Sequence, residues 1–144
     1  MMLPFTTGLM QTNHFDCEMS ELADRHYSRQ SYGARQFMPN GSKIVLRNSQ
    51  GTILFGWCFE KFRIDNQRGY NCTIFRNESP RLSSEVILEA EQFAVDRWGP
   101  GRAFTFIDPK KVKSSNPGCC FKLAGWKQTG VSKSGKIILE KYLV

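Results

Sequence analysis

The sequence predicts an α/β (α+β) fold in which a mixed sheet is flanked by helices. Several short runs have the residue types and two-residue alternation of strands, whereas residues 84–98 have the 3.6-residue period of a helix. A strand-like run lies on each side of that helix, which predicts a crossover between two strands of one sheet. The 144 residues, 40% of them hydrophobic, suffice for one domain with its own core, and we assign residues 1–144 to it.

Composition excludes several classes of protein. No apolar run approaches the roughly 18–20 residues that cross a bilayer, so we expect neither a membrane span nor a membrane partner. Residues 1–10 lack the basic and apolar regions of a secretory signal. The five cysteines form no CxxC pair, which argues against a disulfide scaffold or a zinc ribbon. We therefore expect a protein of the reducing cytoplasm.

The net charge of +7 is concentrated near the C-terminus. Residues 102–144 carry nine lysine and arginine side chains and two acidic ones, whereas the remainder of the chain is neutral. Such a cationic surface suits phosphate, either of a cofactor or of nucleic acid. The alternative is that these lysines only keep a small protein soluble. Charge alone leaves both interpretations open.

A short helix and three strands are predicted in the first half of the chain. The helix is expected over residues 18–29. Two β-rich runs, 42–47 and 52–59, are joined through the turn residues Gln50 and Gly51 and predict a hairpin. The run 70–75 alternates well enough to lie in the same sheet.

The crossover helix has clear signals at both ends. Val86, Ala90 and Ala94 fall on one helical face. A serine, Ser83 or Ser84, is expected to cap the N-terminus, and the sequence Gly-Pro-Gly over residues 99–101 is expected to end the helix.

A strand, a second helix and a last strand are predicted after the crossover. The strand over 103–107 ends at Asp108, which a proline follows. The second helix is expected over 116–124, with Pro117 at its first position because proline needs no N–H partner there. The last strand is expected over 135–143.

Two places favour chemistry on local grounds. The loop over residues 77–84 joins a strand to a helix N-terminus, where free N–H groups and the helix dipole attract anions, and Arg76 and Arg81 would add charge. The alternative is an ordinary capped loop. Asp108 stands at a strand end beside the crossover, where α/β sheets place ligand-contacting groups. It is a candidate base or metal ligand, or only the cap of the next turn.

The order of several short motifs resembles a known family. The stretch from Asn116-Pro-Gly to the following Ala-Gly-Trp is similar to a signature near the end of the GNAT acyltransferases. The earlier His26-Tyr27-Ser, Phe75-Arg-Asn-Glu, Leu82-Ser-Ser-Glu and Asp108-Pro resemble the phage Mom proteins, a DNA-modifying family of that superfamily. The resemblance covers roughly residues 20–141.

This resemblance implies a GNAT-like fold and an enzyme that transfers a small acyl or carbamoylmethyl-type group to the N6 amine of adenine in DNA. Such a modification protects phage DNA from host restriction, so the resemblance implies action in the cytoplasm of an infected cell. It also implies double-stranded DNA and a small-molecule group donor as partners, with iron or acyl-CoA as candidate cofactors. The oligomeric state stays open, a homodimer included.

The resemblance also assigns roles to residues of this sequence. The catalytic candidates it implies are His26, Tyr27, Ser84 and Asp108, with His26 and Asp108 also as metal ligands. The residues implied in cofactor binding are Arg76, Ser83, Ser84 and Asn116. The residues expected to bind DNA are Arg29, Arg35, Lys110, Lys111 and Lys113.

Aromatic side chains add a further expectation about the base and the general acid. Tyr32, Phe37 or Trp126 would stack on a flipped base, although a place in the core suits Trp126 better. Phe121 stands near the position of the tyrosine that acts as general acid in many GNAT enzymes, so a general acid would have to come from elsewhere, such as Tyr27.

Two other functions are kept as alternatives. One is an acyl-CoA-dependent N-acyltransferase acting on a protein or a small amine. The other is a nucleic-acid-binding module without catalysis, which would explain the charge of +7 but leave the His-Tyr and Asp-Pro motifs unused.

Overall fold

The computed structural model describes residues 8–25, 37–39, 41–61, 63–112 and 115–144. Within these ranges seven strands form one mixed sheet and three helices pack on it, which confirms the predicted α+β class. The strands are β1 (Met10–Thr12), β2 (Ser42–Arg47), β3 (Ile53–Phe59), β4 (Tyr70–Asn77), β5 (Gly101–Ile107), β6 (Lys127–Val131) and β7 (Ile137–Leu143). The helices are α1 (Cys17–Asp24), α2 (Ser83–Trp98) and α3 (Cys119–Leu123).

The strand order is β1-β2-β3-β4-β5-β7-β6, with one parallel pair in the middle. The predicted hairpin is confirmed, since β2 and β3 pair antiparallel with Ser42 opposite Phe59 and Arg47 opposite Leu54. β4 and β5 pair in parallel, and α2 connects them. The predicted crossover is therefore confirmed and lies at the centre of the sheet.

Both faces of the sheet carry a hydrophobic core. On one face α2 packs against the sheet, and the Nε1 group of the buried Trp57 donates to the carbonyl of Ala90 at 2.9 Å. On the other face Met19 and Leu22 of α1 pack with Val45 and Ile74 of the sheet. No helix in the described ranges is both long and apolar enough to cross a membrane.

The first helix is shorter than predicted. It ends at Asp24 instead of Arg29, because the N–H of Arg25 donates to Leu22, three residues back, and closes the last turn. The Arg25 guanidinium then pairs with Glu78 at 2.8 Å, on the segment after β4. This ion pair helps to position the C-terminal end of α1. Because its partners are far apart in the sequence, a local sequence pattern does not reveal it.

The predicted serine cap of α2 is wrong. Leu82 is the N-cap residue and no side chain caps this helix, whereas Ser83 already belongs to the first turn. The side chain of Asn77 explains the difference, since its Nδ2 donates to Ser83 Oγ at 3.0 Å and to the Arg81 carbonyl at 2.8 Å. The C-terminus is as predicted, because Gly99 ends the helix at a φ of 87°.

The second predicted helix, 116–124, shrinks to the five residues of α3. Pro117 lies before it and not at its first position. Gly118 is the N-cap residue at a φ of 78°, and a Cβ there would meet Leu139 Cδ1 at 2.5 Å. Backbone conformation and close packing therefore require this glycine, which gives part of the Asn-Pro-Gly motif a structural reason.

Two strands were missed by the sequence patterns. β1 has three residues, and β6 is the largely exposed, polar run Lys127–Val131. Each lies at an edge of the sheet and pairs with one neighbour only. Their strand conformation therefore depends on β2 and β7 more than on an alternating pattern of their own.

The N-cap of α1 makes stability depend on pH. Burial raises the pKa of Asp16, but hydrogen bonds from Thr12 Oγ1, Met19 N and Arg47 outweigh burial and hold the pKa below its ordinary value. A carboxyl group with a lowered folded-state pKa stabilises the protein above its unfolded-state pKa of about 3.9, and this contribution is lost as pH falls through the folded-state pKa.

We therefore expect Asp16→Asn to lower the free energy of unfolding by about 1.5 kcal/mol at pH 7. Asparagine still caps the helix, so the loss reports on the charged contacts with Arg47. Urea unfolding at several pH values should show the difference between variant and wild type shrinking below about pH 4. A difference that stays constant down to pH 2 would contradict this assignment.

Candidate active-site cleft

A cleft opens where the two parallel strands separate. β4 and β5 pair only through Tyr70–Ala103, Asn71–Phe104 and Cys72–Thr105. Beyond these pairs β4 continues for five residues to Asn77 and β5 for two residues to Ile107.

A bulge in β4 lies where the pairing ends. On the β3 side Ile74 opposes Gly56 and Cys72 opposes Trp57, so that Thr73 is an extra residue. A bulge bends its strand and raises the local twist, which accounts for the divergence of β4 from β5.

The cleft is a cavity of about 310 Å³, at the lower end of the range for small-molecule sites. Its lining includes consecutive residues of β4 and of β5, and the side chains of consecutive strand residues lie on opposite faces of the sheet. The lining residues are mainly apolar; they are Asn71, Cys72, Thr73, Ile74, Phe75, Thr105, Phe106, Ile107, Asp108, Val112, Gly118, Cys120, Phe121 and Lys136. Phe121, which is expected near the general-acid position but cannot donate a proton, lines this cavity.

The two thiols that line the cavity are poorly suited to act as nucleophiles. Burial raises the pKa of Cys72 far above its ordinary value, and burial also raises the pKa of Cys120. A thiol attacks as its thiolate, so both side chains are poor nucleophiles at neutral pH. Thr105 is also engaged, since its hydroxyl donates to the Cys72 carbonyl at 2.8 Å.

Asp108 follows β5 directly, lines the cavity and is half-exposed, so it lies on the side of the cavity that opens to solvent, the cavity mouth. Its Oδ1 accepts a hydrogen bond from the Lys110 N–H at 3.0 Å, and its carbonyl accepts from the N–H groups of Lys111 and Val112. The side chain therefore caps the next turn and at the same time lines the cavity. Lys110 and Lys111, which follow Asp108, are exposed but do not belong to the cavity lining.

A wider groove of about 940 Å³ adjoins the cavity. Phe106 and Lys136 line both spaces. Arg63 also lines the groove, where its guanidinium lies 5.8 Å from the Phe106 ring centre and pairs with Glu60 and Asp65. Lys133 adds a further exposed cation to the groove.

Seven of the nine basic C-terminal residues fall into two groups in the structure. Arg102 pairs with Glu140 at 2.7 Å, and Lys141 pairs with the buried Glu91 at 2.8 Å, so these two cations hold the fold together. The exposed lysines among the described residues after 101 are Lys110, Lys111, Lys127, Lys133 and Lys136. The cationic surface is therefore smaller than the net charge indicates.

The residues expected to bind a cofactor lie outside the cavity lining. Arg76 pairs with Glu78 at 3.0 Å, and hydrogen bonds from Arg25 and then Arg76 hold the pKa of the Glu78 carboxyl below its ordinary value. Ser83 Oγ accepts from Asn77, and Ser84 is half-buried in the first turn of α2. The exposed Asn116 accepts from Lys122 Nζ at 2.7 Å. The structure thus does not bring these four residues together with Asp108 around one cavity.

Several sequence-based candidates lie outside the described residues. These are His26, Tyr27, Arg29, Tyr32, Arg35 and Lys113. Of the expected iron ligands, only Asp108 is therefore described. No group of three histidine, cysteine, aspartate or glutamate side chains suited to a metal occurs within the described ranges. The described ranges alone therefore do not provide an iron site.

Two of the three aromatic residues expected to stack on a base are described. Of these, Trp126 belongs to the core, as its sequence context predicts. It is 2% exposed, and its Nε1 donates to Glu91 Oε2 at 2.9 Å. Phe37 packs against the core on the other face of the sheet. Sequence reasoning missed Asn71 and Lys136, although an asparagine in an otherwise apolar strand is a signal that could have drawn attention to Asn71.

Comparison with protein-family models and with curated proteins finds no match for this chain.

Proposed function

We propose that this chain is a phage DNA-modifying transferase of GNAT-like fold that acts on the N6 amine of adenine. The transferred group is a small acyl or carbamoylmethyl-type group, and the modification protects phage DNA from restriction. One observation carries the proposal: the cavity between β4 and β5, which Asp108 lines, and the wider groove share Phe106 and Lys136 in their walls. A group transfer needs two adjoining spaces of this kind, one for each substrate.

The two spaces differ in the chemistry they suit. The cavity is narrow and mainly apolar, which fits the transferred end of a small donor molecule. The groove is broader and open, and Lys133 and Lys136 lie along it. Lysines of this kind bind DNA phosphates by charge, independently of sequence. The groove is accordingly assigned to the DNA and the cavity to the group donor.

We assign Asp108 the role of the general base that accepts a proton from the amine. The N6 nitrogen forms a bond to the electrophilic carbon of the donor, and the bond from that carbon to the leaving group breaks with its electron pair. The N6 nitrogen then loses one proton to the Asp108 carboxylate. Adenine in a duplex is paired and stacked, so the base has to be flipped out to reach the mouth of the cavity.

The direct test is mass spectrometry of nucleosides from plasmid DNA of cells that express the protein. A modified deoxyadenosine, absent from cells with the empty vector, is the expected result, and its mass identifies the transferred group. Unmodified DNA from abundant, folded protein would overturn the proposal. Acyl-CoA binding without any effect on DNA would then favour the N-acyltransferase.

The groove assignment predicts a particular effect of Lys136→Gln on DNA affinity. Loss of one phosphate contact should make the slope of log affinity against log salt concentration shallower by about 0.9. Lys127→Gln is the matched control, because Lys127 is also exposed but lines neither space. Fluorescence anisotropy with a labelled duplex at several salt concentrations measures the slope. Equal slopes for the two variants would remove Lys136 from the DNA-binding surface.

A further inference from the structure

Ile64 is fully exposed and is the most exposed of the large apolar side chains that the structure describes. It is the second residue of a β-turn over Arg63–Asn66, which the Asn66 N–H closes by donating to the Arg63 carbonyl at 3.4 Å. The central positions of turns usually carry glycine, proline, asparagine, aspartate or serine. The isoleucine at this tip buries nothing within the fold, so its apolar side chain is available to a binding partner.

Ion pairs and hydrogen bonds hold this turn in place. The Arg63 guanidinium donates to both carboxylate oxygens of Asp65, at 2.9 and 2.7 Å, and to Glu60 at 2.9 Å. Asp65 Oδ1 also accepts from the Gln67 N–H at 3.0 Å. Both carboxylates are thus paired with a cation, which weakens their repulsion of a DNA phosphate. Because the turn is braced and a β-branched side chain is stiff, little order has to be gained when Ile64 binds.

Ile64 lies on the rim of the groove that is assigned to the DNA, since it lines the groove and is fully exposed. The exposed Lys133 and Lys136 line the same groove. The guanidinium of Arg63, the preceding residue, lies 5.8 Å from the ring centre of Phe106, which lines both the groove and the cavity. The apolar tip is therefore close to the wall that the two spaces share.

We propose that Ile64 is a wedge that enters the base stack and fills the space left by the flipped adenine. Proteins that distort DNA commonly insert an apolar side chain, isoleucine among them, between bases and so offset the cost of unstacking. Lys133 and Lys136 provide the charge that holds the neighbouring phosphates, which favours DNA as the occupant of this groove. This inference rests on the proposed function in taking the groove as the DNA site and the adenine as flipped.

Permanganate footprinting of a plasmid with the purified full chain tests the wedge. Permanganate oxidises thymines that have lost their stacking, so the thymine opposite a flipped adenine should become reactive. The assay needs neither the group donor nor a known target sequence. We expect Ile64→Ser to lower the reactivity of these thymines about tenfold relative to the wild type, since burial of an isoleucine side chain is worth at least this factor.

Two variants serve as controls. Ile64→Leu keeps an apolar side chain at the tip and should keep the thymine reactivity of the wild type. Leu123→Ser removes another exposed apolar side chain, on α3, that lines neither space, and should also react as the wild type does. Ile64→Ser itself should keep the melting temperature and the salt dependence of DNA affinity, because Ile64 is fully exposed and neutralises no phosphate.

Three results would overturn the wedge. They are wild-type thymine reactivity in Ile64→Ser, no reactive thymine with the wild type, and a lower molecular mass of Ile64→Ser in sedimentation, since Ile64 would then join two copies of the chain. Reactive thymines that depend on Ile64, together with unmodified plasmid DNA in cells, would keep the wedge and reject the DNA transferase. Modified DNA together with wild-type thymine reactivity in Ile64→Ser would do the reverse.

Discussion

Asp108→Asn should lower the rate of DNA modification at least about 100-fold, the smallest factor typical of a lost general base. The carboxylate lies at the mouth of the cavity, where the amine and the donor would meet, and an amide cannot take up the proton of the N6 amine. The substitution should leave the local fold intact, because the asparagine oxygen can still accept the hydrogen bond from the Lys110 N–H. Modified deoxyadenosine in plasmid DNA, measured against time after induction, gives the rate.

The matched control is Asp96→Asn. Asp96 is exposed on α2, where its only described side-chain contact is with Gln92, and it lines neither the cavity nor the groove. This variant removes one negative charge from the protein, as Asp108→Asn does, and should modify DNA at the rate of the wild type. Wild-type activity in Asp108→Asn would remove the carboxylate from the mechanism.

Lys141→Met should lower the free energy of unfolding by about 3 kcal/mol. Lys141 of β7 donates to Glu91 Oε1 and to the Ala124 carbonyl, both at 2.8 Å. The substitution leaves the buried Glu91 carboxylate with one donor among the described residues, Trp126 Nε1. A buried charge that loses its ion-pair partner is more costly than the loss of a surface pair. The melting temperature should fall by about 10 °C.

A second variant distinguishes this cause from lost packing. Glu91→Gln removes the charge but keeps an oxygen for Trp126, so adding it to Lys141→Met should restore at least about 1 kcal/mol. Lys127→Met is the control on the neighbouring strand and should change the free energy of unfolding by less than about 0.5 kcal/mol. A double variant no more stable than Lys141→Met would show that the loss comes from packing or from the Ala124 contact.

The fold was predictable where the sequence pattern is local. The β-rich residues of 42–47 and the helical period of residues 84–98 predicted β2 and α2, because residue type and the spacing of a buried helical face are both local signals. The glycine at position 99 likewise marked the end of α2. The edge strand β6 was missed, because its polar residues are held mainly by pairing with β7.

The candidate site was predictable in one respect. Asp108 was chosen for its place at a strand end, and the structure does put it at a cavity mouth. The strand–loop–helix pattern points to Arg76 and the family resemblance points to Ser83, but their side chains are engaged by Glu78 and Asn77. A motif shows which residue types are present. It does not show which neighbours already form hydrogen bonds or ion pairs with them.

The sequence by itself determined the strands and helices with strong periodicity, the crossover between β4 and β5 and the excess of positive charge. Only the tertiary structure decided which of the positive charges are available at the surface, since Lys141 forms an ion pair with Glu91, 50 residues away along the chain. It also decided that β4 and β5 separate after Cys72 and Thr105 and open a cavity that Asn71 lines. The physical reason is that periodicity depends on near neighbours, whereas ion pairs, strand divergence and unpaired polar groups depend on residues that are brought together only by folding.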